Sequence, residues 1–461
     1  MGGKVWRERF SMDLAPEIDA LNRSAHFDWR LGVHDLDVSR VWARALRKGG
    51  ALTADDVAAI LKGLDLIDRE LSVKGSAFPE SGDEDIHMAV ERRLGEIIGE
   101  PAEKLHFGRS RNDMVATDIL LYLKGQSATI MEKGRNLIKV IVDQAQAHKA
   151  TPFPGYTHLQ QAQVVSLGHI FLAHAIALQR DISALSANLN GMDKCPLGSG
   201  ALAGTYAPVD TGWIAAELGF SGPAANSIDA VGSRDAIIDF LYIGARLGIH
   251  LSRLGEDMIL WSSQEFGYIT LGDNSTTGSS LLPHKKNPDV FELARGKAGR
   301  LIGNLHAILA VLKGLPAGYN KDLQEDKEAL FDTVETLNLL LPAVATAVDS
   351  LTVHSEAIRA AMIPEIKMEG VVQLLTERGS TFRAAYRMGQ ALVRKAVARG
   401  LHVTEFALGD LQNVSPELDQ EVLNRLQADY EIPKTGVAGG ASIASVETQI
   451  EDFRTWLGAV T

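Results

Sequence analysis

The chain has 461 residues, 46% of them hydrophobic, and a formal net charge of −12. That length suggests roughly three domains, or one large core with smaller ends; the acidic balance argues against nonspecific nucleic-acid binding and offers no polybasic membrane patch. A single cysteine, Cys195, excludes an intramolecular disulfide and a multi-cysteine metal site, which fits a reducing compartment, and its expected place is a small buried position.

No basic and apolar leader opens the sequence, and the longest clean apolar run, near 339–348, is broken by Pro342. The expectation is a soluble cytoplasmic protein with no membrane partner. The first 110 residues predict shorter helices separated by turns such as "SGDED". At 106–113, "HFGRSRND" leads into a helix that "MVATDILLYLKG" begins. Gly108 permits a tight turn, and Ser110, Asn112 and Asp113 are all good caps. Arg109 and Arg111 then stand beside the free N–H groups of a helix start, a ready anion site. In "FPGYTHLQQAQ" at 153–163, a Pro-Gly turn precedes Thr157 and His158. An imidazole there can relay a proton, with Thr157, Gln160 and Gln163 as hydrogen-bonding company.

Apolar residues at helical spacing (Val165, Ile170, Leu178, Ile182, Leu185, Leu189) predict a long helix over 162–192. Others are predicted over 234–263, 290–312 and 328–351, all well beyond the usual ~11–12 residues. Their apolar surface extends around much of the circumference, so a homo-oligomer whose core is built of long helices from several subunits is expected.

The loop "TTGSSLLPHKKNPDVFE" at 276–292 is the most informative segment. Gly278 and the serine-threonine run loosen it, Pro283 and Pro288 restrict it, and Lys285, Lys286 and Asn287 supply donors without an acceptor of comparable charge. Asp289 and Glu292 suit the positive end of the helix that follows. Lys285 and Asn287 can hold a substrate carboxylate and stabilise the charge that grows when the neighbouring carbon loses a proton. A serine nearby can take that proton if cationic surroundings favour its ionised form. Further on, "GYNKDLQEDKE" at 318–328 offers Tyr319, Gln324 and Lys327 for the far end of a substrate, and the chain closes on mixed elements with the glycine-rich "GVAGGASIAS" at 436–445. Metal-ligand spacing, a phosphate-cradling loop and a dinucleotide fingerprint are all missing from the sequence, so no metal and no organic cofactor are expected.

Taken together, these stretches resemble the aspartase/fumarase superfamily through "GSS" and "KKNPD" in the 276–292 loop. Within it they resemble the argininosuccinate lyases through "GRSRND", "PGYTHLQ" followed by "AQ", "GSGALAGT" at 198–205, "NSIDAV" followed by "RD" at 226–235 and "YNKDLQEDKE". The similarity runs from "NRSAHFDWRL" around Ser24 almost to the C-terminus. It implies an all-α, three-domain subunit: an N-terminal helical domain over 1–110, a central long-helix bundle over 111–362 with the signature loop at 275–290, and a C-terminal helical domain over 363–461. It further implies a homotetramer around a core of about twenty helices, with active sites shared by three subunits, in the cytoplasm and in arginine biosynthesis.

The implied reaction is elimination of fumarate from an N-substituted aspartate, a small dicarboxylate substrate, in a carbon–nitrogen lyase. By position, Ser279 resembles the general base of the family. Lys285 and Asn287 resemble the groups that hold the succinyl carboxylate, and His158, paired with Glu292, resembles the histidine that serves the leaving nitrogen directly or through water. Ser24, Ser110, Arg111, Asn112, Thr157 and Ser280 match substrate-binding positions; Tyr319, Gln324 and Lys327 match residues that contact the distal or carboxylate parts. His87, in "DEDIHMAVERR", matches another histidine near the site. The sequence departs from many argininosuccinate lyases at Phe107 (threonine), Val164 (proline), Leu282 (methionine), Met368-Glu369-Gly370 ("ATDLA"), Tyr386-Arg387 ("HH") and from Gly439 ("GGTAP"). None removes a proposed catalytic group. They leave open a sister lyase acting on an ethylenediaminedisuccinate-type aminopolycarboxylate, and a noncatalytic crystallin-like homologue as a third reading.

Overall fold

The computed structural model describes Met12, residues 14–434 and residues 437–459. Gly436, which opens the glycine-rich C-terminal stretch, lies outside the described residues, as do the first and last residues of the expected terminal domains. The chain is helical over most of its length, and the strands among the described residues are short: one hairpin and two pairs of two-residue strands. Two compact units emerge, Met1–Glu132 with Asp181–Gly248 and Lys297–Leu339, and Lys133–Arg180 with Ile249–Gly296 and Leu340–Thr461.

In the first unit, α1 (Gly32–Lys48) and α3 (Ile86–Ile98) are shorter helices, as expected near the N-terminus, whereas α2 (Ala54–Lys74) between them runs to 21 residues. Their starts are chemically marked. Thr53 and Asp56 form a reciprocal capping box at α2, and the Asp85 carboxylate accepts from the Met88 N–H at 2.8 Å at α3. Each helix buries one stripe: Leu36, Trp42 and Leu46 on α1, Ile60, Leu64 and Ile67 on α2, Val90 and Leu94 on α3.

Beyond them run α4 (Arg111–Ala147), then a hairpin of β1 (Pro152–Thr157) and β2 (Gln160–Ser166), then α5 (Leu167–Asn188), α6 (Asp235–Ser262), α7 (Asp289–Leu312) and α8 (Asp326–Asp349). Each of the five long helices contributes residues to both units. Of the four whose place apolar spacing predicts, three (α6, α7 and α8) begin within two residues of it. The exception is α5, which starts at Leu167, because 162–166 are spent on strand β2.

Small residues set how closely α6 packs on its neighbours. A methyl group at Gly255 would lie 2.9 Å from the Phe291 carbonyl oxygen of α7, and one at Gly248 would lie 2.7 Å from Leu301 Cδ1. Either would force the helices apart. The segment Lys321–Asp349 is long and apolar enough by composition to cross a membrane, unlike the short broken run read from the sequence; 61% of its most apolar window is buried inside the protein, as in a core helix.

The C-terminal helices α9 (Met368–Glu377), α10 (Phe382–Arg399), α11 (Gln420–Gln427) and α12 (Ile443–Gly458) belong to the second unit. Val371, Leu375, Leu392, Phe406, Leu411, Val422 and Leu426 form a hydrophobic cluster of their own there. Cys195 is buried, and burial pushes its thiol up to about 12, an inert position.

One buried group in the first unit was not legible as a cluster in the sequence. His87 Nδ1 is hydrogen-bonded to Asp35 and lies 3.7 Å from Asp118 Oδ2, all three side chains being buried. Their ligand-type atoms fall within 4.8 Å of one another, and His87 is bonded directly to Asp35. Burial alone would lower the His87 pKa; the Asp35 charge and hydrogen bond, with Asp118, outweigh it and raise the pKa to about 10. The sign for stability follows: this contribution is complete below about 6.5, the ordinary histidine value, declines above it, and is gone once the pH passes about 10. Denaturant titrations from pH 6 to 10 are expected to show the native chain losing stability relative to His87→Gln as the pH rises. Parallel curves would contradict that.

Candidate active site

The sequence-predicted residues fall into two groups, one in each unit. In the first, the turn at Gly108 and the start of α4 are built around Asp113. Its Oδ1 accepts from the Ser110 N–H at 3.0 Å, and its Oδ2 accepts from the N–H groups of Gly198 at 3.0 Å and Gly200 at 2.8 Å. One buried carboxylate thereby ties "GRSRND" to "GSGALAGT", two motifs far apart in the chain. Asn112 adds a bond from Nδ2 to the Ala201 carbonyl at 3.1 Å.

Arg111 is half-buried and reaches the Asp85 cap of α3 at 3.3 Å. Arg109, expected beside it at the helix start, is not available as an anion ligand. Its side chain is buried, donating to Ser39 Oγ at 3.0 Å, with Glu91 at 3.9 Å. The local cation of this motif is Arg111 alone.

Ser24 is buried and donates from Oγ to Asp28 Oδ2 at 2.6 Å, while Asp28 Oδ1 accepts from the Ile86 N–H at 3.0 Å. Burial and the neighbouring Asp85 raise the Asp28 carboxyl to about 6. Lys327 is buried too, its Nζ 2.9 Å from Asp326 Oδ1, and Asp326 is hydrogen-bonded by Arg234 Nε. Gln324 Nε2 donates to the Asn22 carbonyl at 3.3 Å, and burial, with the Asp326 charge, raises the Tyr319 hydroxyl. Ser24, Gln324 and Lys327 are thus held by Asp28, the Asn22 carbonyl and Asp326 respectively. Sequence reasoning gave no role to Asp28, Arg234 or Asp326; the available signal was an acidic residue four after Ser24 and one directly before Lys327.

In the second unit, the hairpin carries Thr157 and His158. Its two-residue turn, His158-Leu159, has φ of +55° and +56°. Both central positions of such a turn need positive φ and usually take Asn-Gly. Two L-residues with side chains there cost ~1–3 kcal/mol each, and Leu159 is 74% exposed at the tip. A bulge at Ala162 separates the Tyr156–Gln161 pair from the Gly155–Gln163 pair. The expectation of a Pro-Gly turn leading directly into helix is therefore corrected: the motif is a hairpin that presents His158 at a strained tip.

The signature loop is closed at its base by Asn287. Its N–H donates to the Thr277 carbonyl at 2.9 Å, and its Nδ2 lies 3.3 Å from Thr277 Oγ1. Thr277 Oγ1 in turn donates to Asp289. Within the loop, Ser279 Oγ accepts from the backbone N–H groups of Leu281 at 3.2 Å and Leu282 at 3.0 Å. Two amide donors aimed at one hydroxyl oxygen stabilise its ionised form, as an oxyanion hole does.

The two lysines are not equivalent. Lys286 donates to Asp273 Oδ1 at 2.7 Å and to the Leu271 carbonyl at 3.0 Å, so it braces the loop. Lys285 is exposed; its backbone N–H donates to the Leu282 carbonyl at 3.1 Å, but its ammonium has no hydrogen-bond or ion-pair partner among the described residues. His158, Ser280 and Glu292 are likewise exposed, and no bond joins His158 to Glu292 within the chain.

A mostly helical subunit with this loop belongs to a recognisable class. The sequence profile of the family described as Lyase matches residues 8–303. Among individual proteins, the chain is 44% identical over 455 residues to the argininosuccinate lyase of Chloroflexus aurantiacus, covering 98% of each chain. It is 43% identical over 451 residues to that of Leifsonia xyli, covering 97% of this chain and 94% of the relative. The protein belongs to the argininosuccinate lyase family. Among solved structures, an EDDS lyase variant with bound fumarate superposes with a TM-score of 0.82 at 24% identity over 97% of this chain and 91% of the other, a likeness of fold.

Proposed function

We propose that this chain eliminates fumarate from argininosuccinate and releases arginine. The observation that carries the reading is the Ser279 hydroxyl, which receives two backbone N–H groups while Lys285, in the same loop, keeps an uncommitted ammonium. Ser279 as an alkoxide takes the proton from the methylene carbon next to the carbon bearing nitrogen. The electron pair left behind delocalises into the adjacent carboxylate, where Lys285 and Asn287 stabilise it. The carbon–nitrogen bond then breaks, fumarate forms, and the nitrogen gains a proton through His158 with Glu292 as its partner. Ser24, Ser110, Arg111, Asn112, Thr157, Ser280, Tyr319, Gln324 and Lys327 bind the substrate.

The same proposal includes the assembly. The two residue groups would meet in a cytoplasmic homotetramer whose sites draw on three subunits, each subunit divided into domains at about 110 and 362. Family membership and the broad apolar surfaces of the long helices support this. The purified protein mixed with argininosuccinate is expected to raise fumarate absorbance; no rise at micromolar enzyme would overturn the proposal. A second reading, an aminopolycarboxylate lyase, is favoured by the fold likeness to EDDS lyase and by Met368-Glu369-Gly370. Fumarate offered in reverse with a panel of amines separates the two, because a clear preference for arginine would rule this one out.

A further inference from the structure

His158 stands on a turn that its own residues disfavour, with an exposed side chain that has no partner among the described residues. What fixes the hairpin must therefore lie further down the strands. Gln161 uses both ends of its amide: Nε2 donates to the Ala361 carbonyl at 2.7 Å and Oε1 accepts from the Ile363 N–H at 2.9 Å. Gln163 Nε2 donates to Glu369 Oε1 at 2.5 Å. Both glutamines thus reach one C-terminal segment, on either side of the bulge at Ala162, where the ladder itself is weakest. An amide bonded at donor and acceptor cannot rotate, so it sets strand position as well as proximity.

We propose that Gln161, Gln163 and Glu369 are positioning residues that brace the hairpin from the C-terminal segment and hold His158 in place for proton delivery. The proposal rests on the role given to His158 above. Only the tip needs to shift for the rate to suffer. A displacement of about 1 Å at a reacting group lowers turnover by up to about 100-fold, while the Gln163–Glu369 bond is solvent-exposed and contributes little to folding.

The test is a double-mutant cycle with argininosuccinate as substrate, measuring kcat, KM and Tm. Gln161→Ala and Glu369→Ala, each in the native background, are expected to lower kcat about 10- to 100-fold with KM and Tm nearly unchanged. Glu369→Gln, which keeps an oxygen acceptor, is expected to retain more activity than Glu369→Ala. In a His158→Asn background the same brace substitutions should cause no further loss. Gln163→Leu, which removes only the contact to Glu369, is the second variant should Gln161→Ala fold poorly. Full activity in the single variants, or equal losses in both backgrounds, would overturn the brace. A fully active His158→Asn enzyme would instead overturn the role of His158, and the brace with it.

Discussion

Replacing Ser279 by alanine is expected to lower the rate of fumarate release by about 10³-fold or more, with a much smaller change in KM. The reason is local. Ser279 Oγ is the hydroxyl of the signature loop that accepts two backbone N–H groups, from Leu281 and Leu282, so it is the oxygen best prepared to carry negative charge. Alanine keeps the loop backbone and the carboxylate-binding groups Lys285 and Asn287, so substrate still binds. What disappears is the atom that takes the proton, an effect felt in the transition state and hardly in the ground state. Because the loop is largely exposed, stability should change by no more than ~0.5 kcal/mol, and an inactive Ser279→Ala enzyme with an unchanged Tm separates loss of chemistry from loss of fold.

Lys285→Ala is the second large effect, expected at about 10²–10³-fold in kcat/KM. Here both parameters should move, since the ammonium binds the carboxylate before reaction and meets a greater negative charge after proton loss. Lys286→Ala provides the contrast. Its ammonium is already bonded to Asp273 and the Leu271 carbonyl, so its removal loosens the base of the loop without removing a substrate contact, and a smaller loss is expected. Equal losses at the two positions, measured by steady-state kinetics, would show that the loop acts through its shape or total charge and not through one poised cation.

The long helices were legible because their apolar residues recur at 3.6-residue spacing over six turns or more: the predicted 234–263 and 290–312 compare with Asp235–Ser262 and Asp289–Leu312. The hairpin was not. Val164 and Val165 continue the apolar spacing of α5 backwards, and the turn residues His158 and Leu159 lack the Asn-Gly signature that announces such a turn. Its cost is borne by long-range contacts such as Gln161 to Ala361, 200 residues away, which local pattern cannot register. The same limit explains Arg109. Its neighbours in sequence describe an anion site, whereas its burial against Ser39 depends on a helix 70 residues earlier. The trio of Asp35, His87 and Asp118 comes from three separate helices and was invisible as a cluster, although His87 itself stood out. The loop at 276–292 was the opposite case, since its lysines, serines and prolines lie together in sequence and their chemistry could be read directly.

In the proposed chemistry a loop serine, steadied by its own backbone N–H groups and aided by a lysine of the same loop, removes the carbon-bound proton. That step is tested most directly by a crystal structure of the assembled protein with an unreactive argininosuccinate analogue in which a methylene replaces the bridging nitrogen. Ser279 Oγ is expected within ~3–3.5 Å of the succinyl methylene carbon, with Lys285 Nζ on the neighbouring carboxylate. A different side chain at that carbon, with Ser279 turned away, would contradict it.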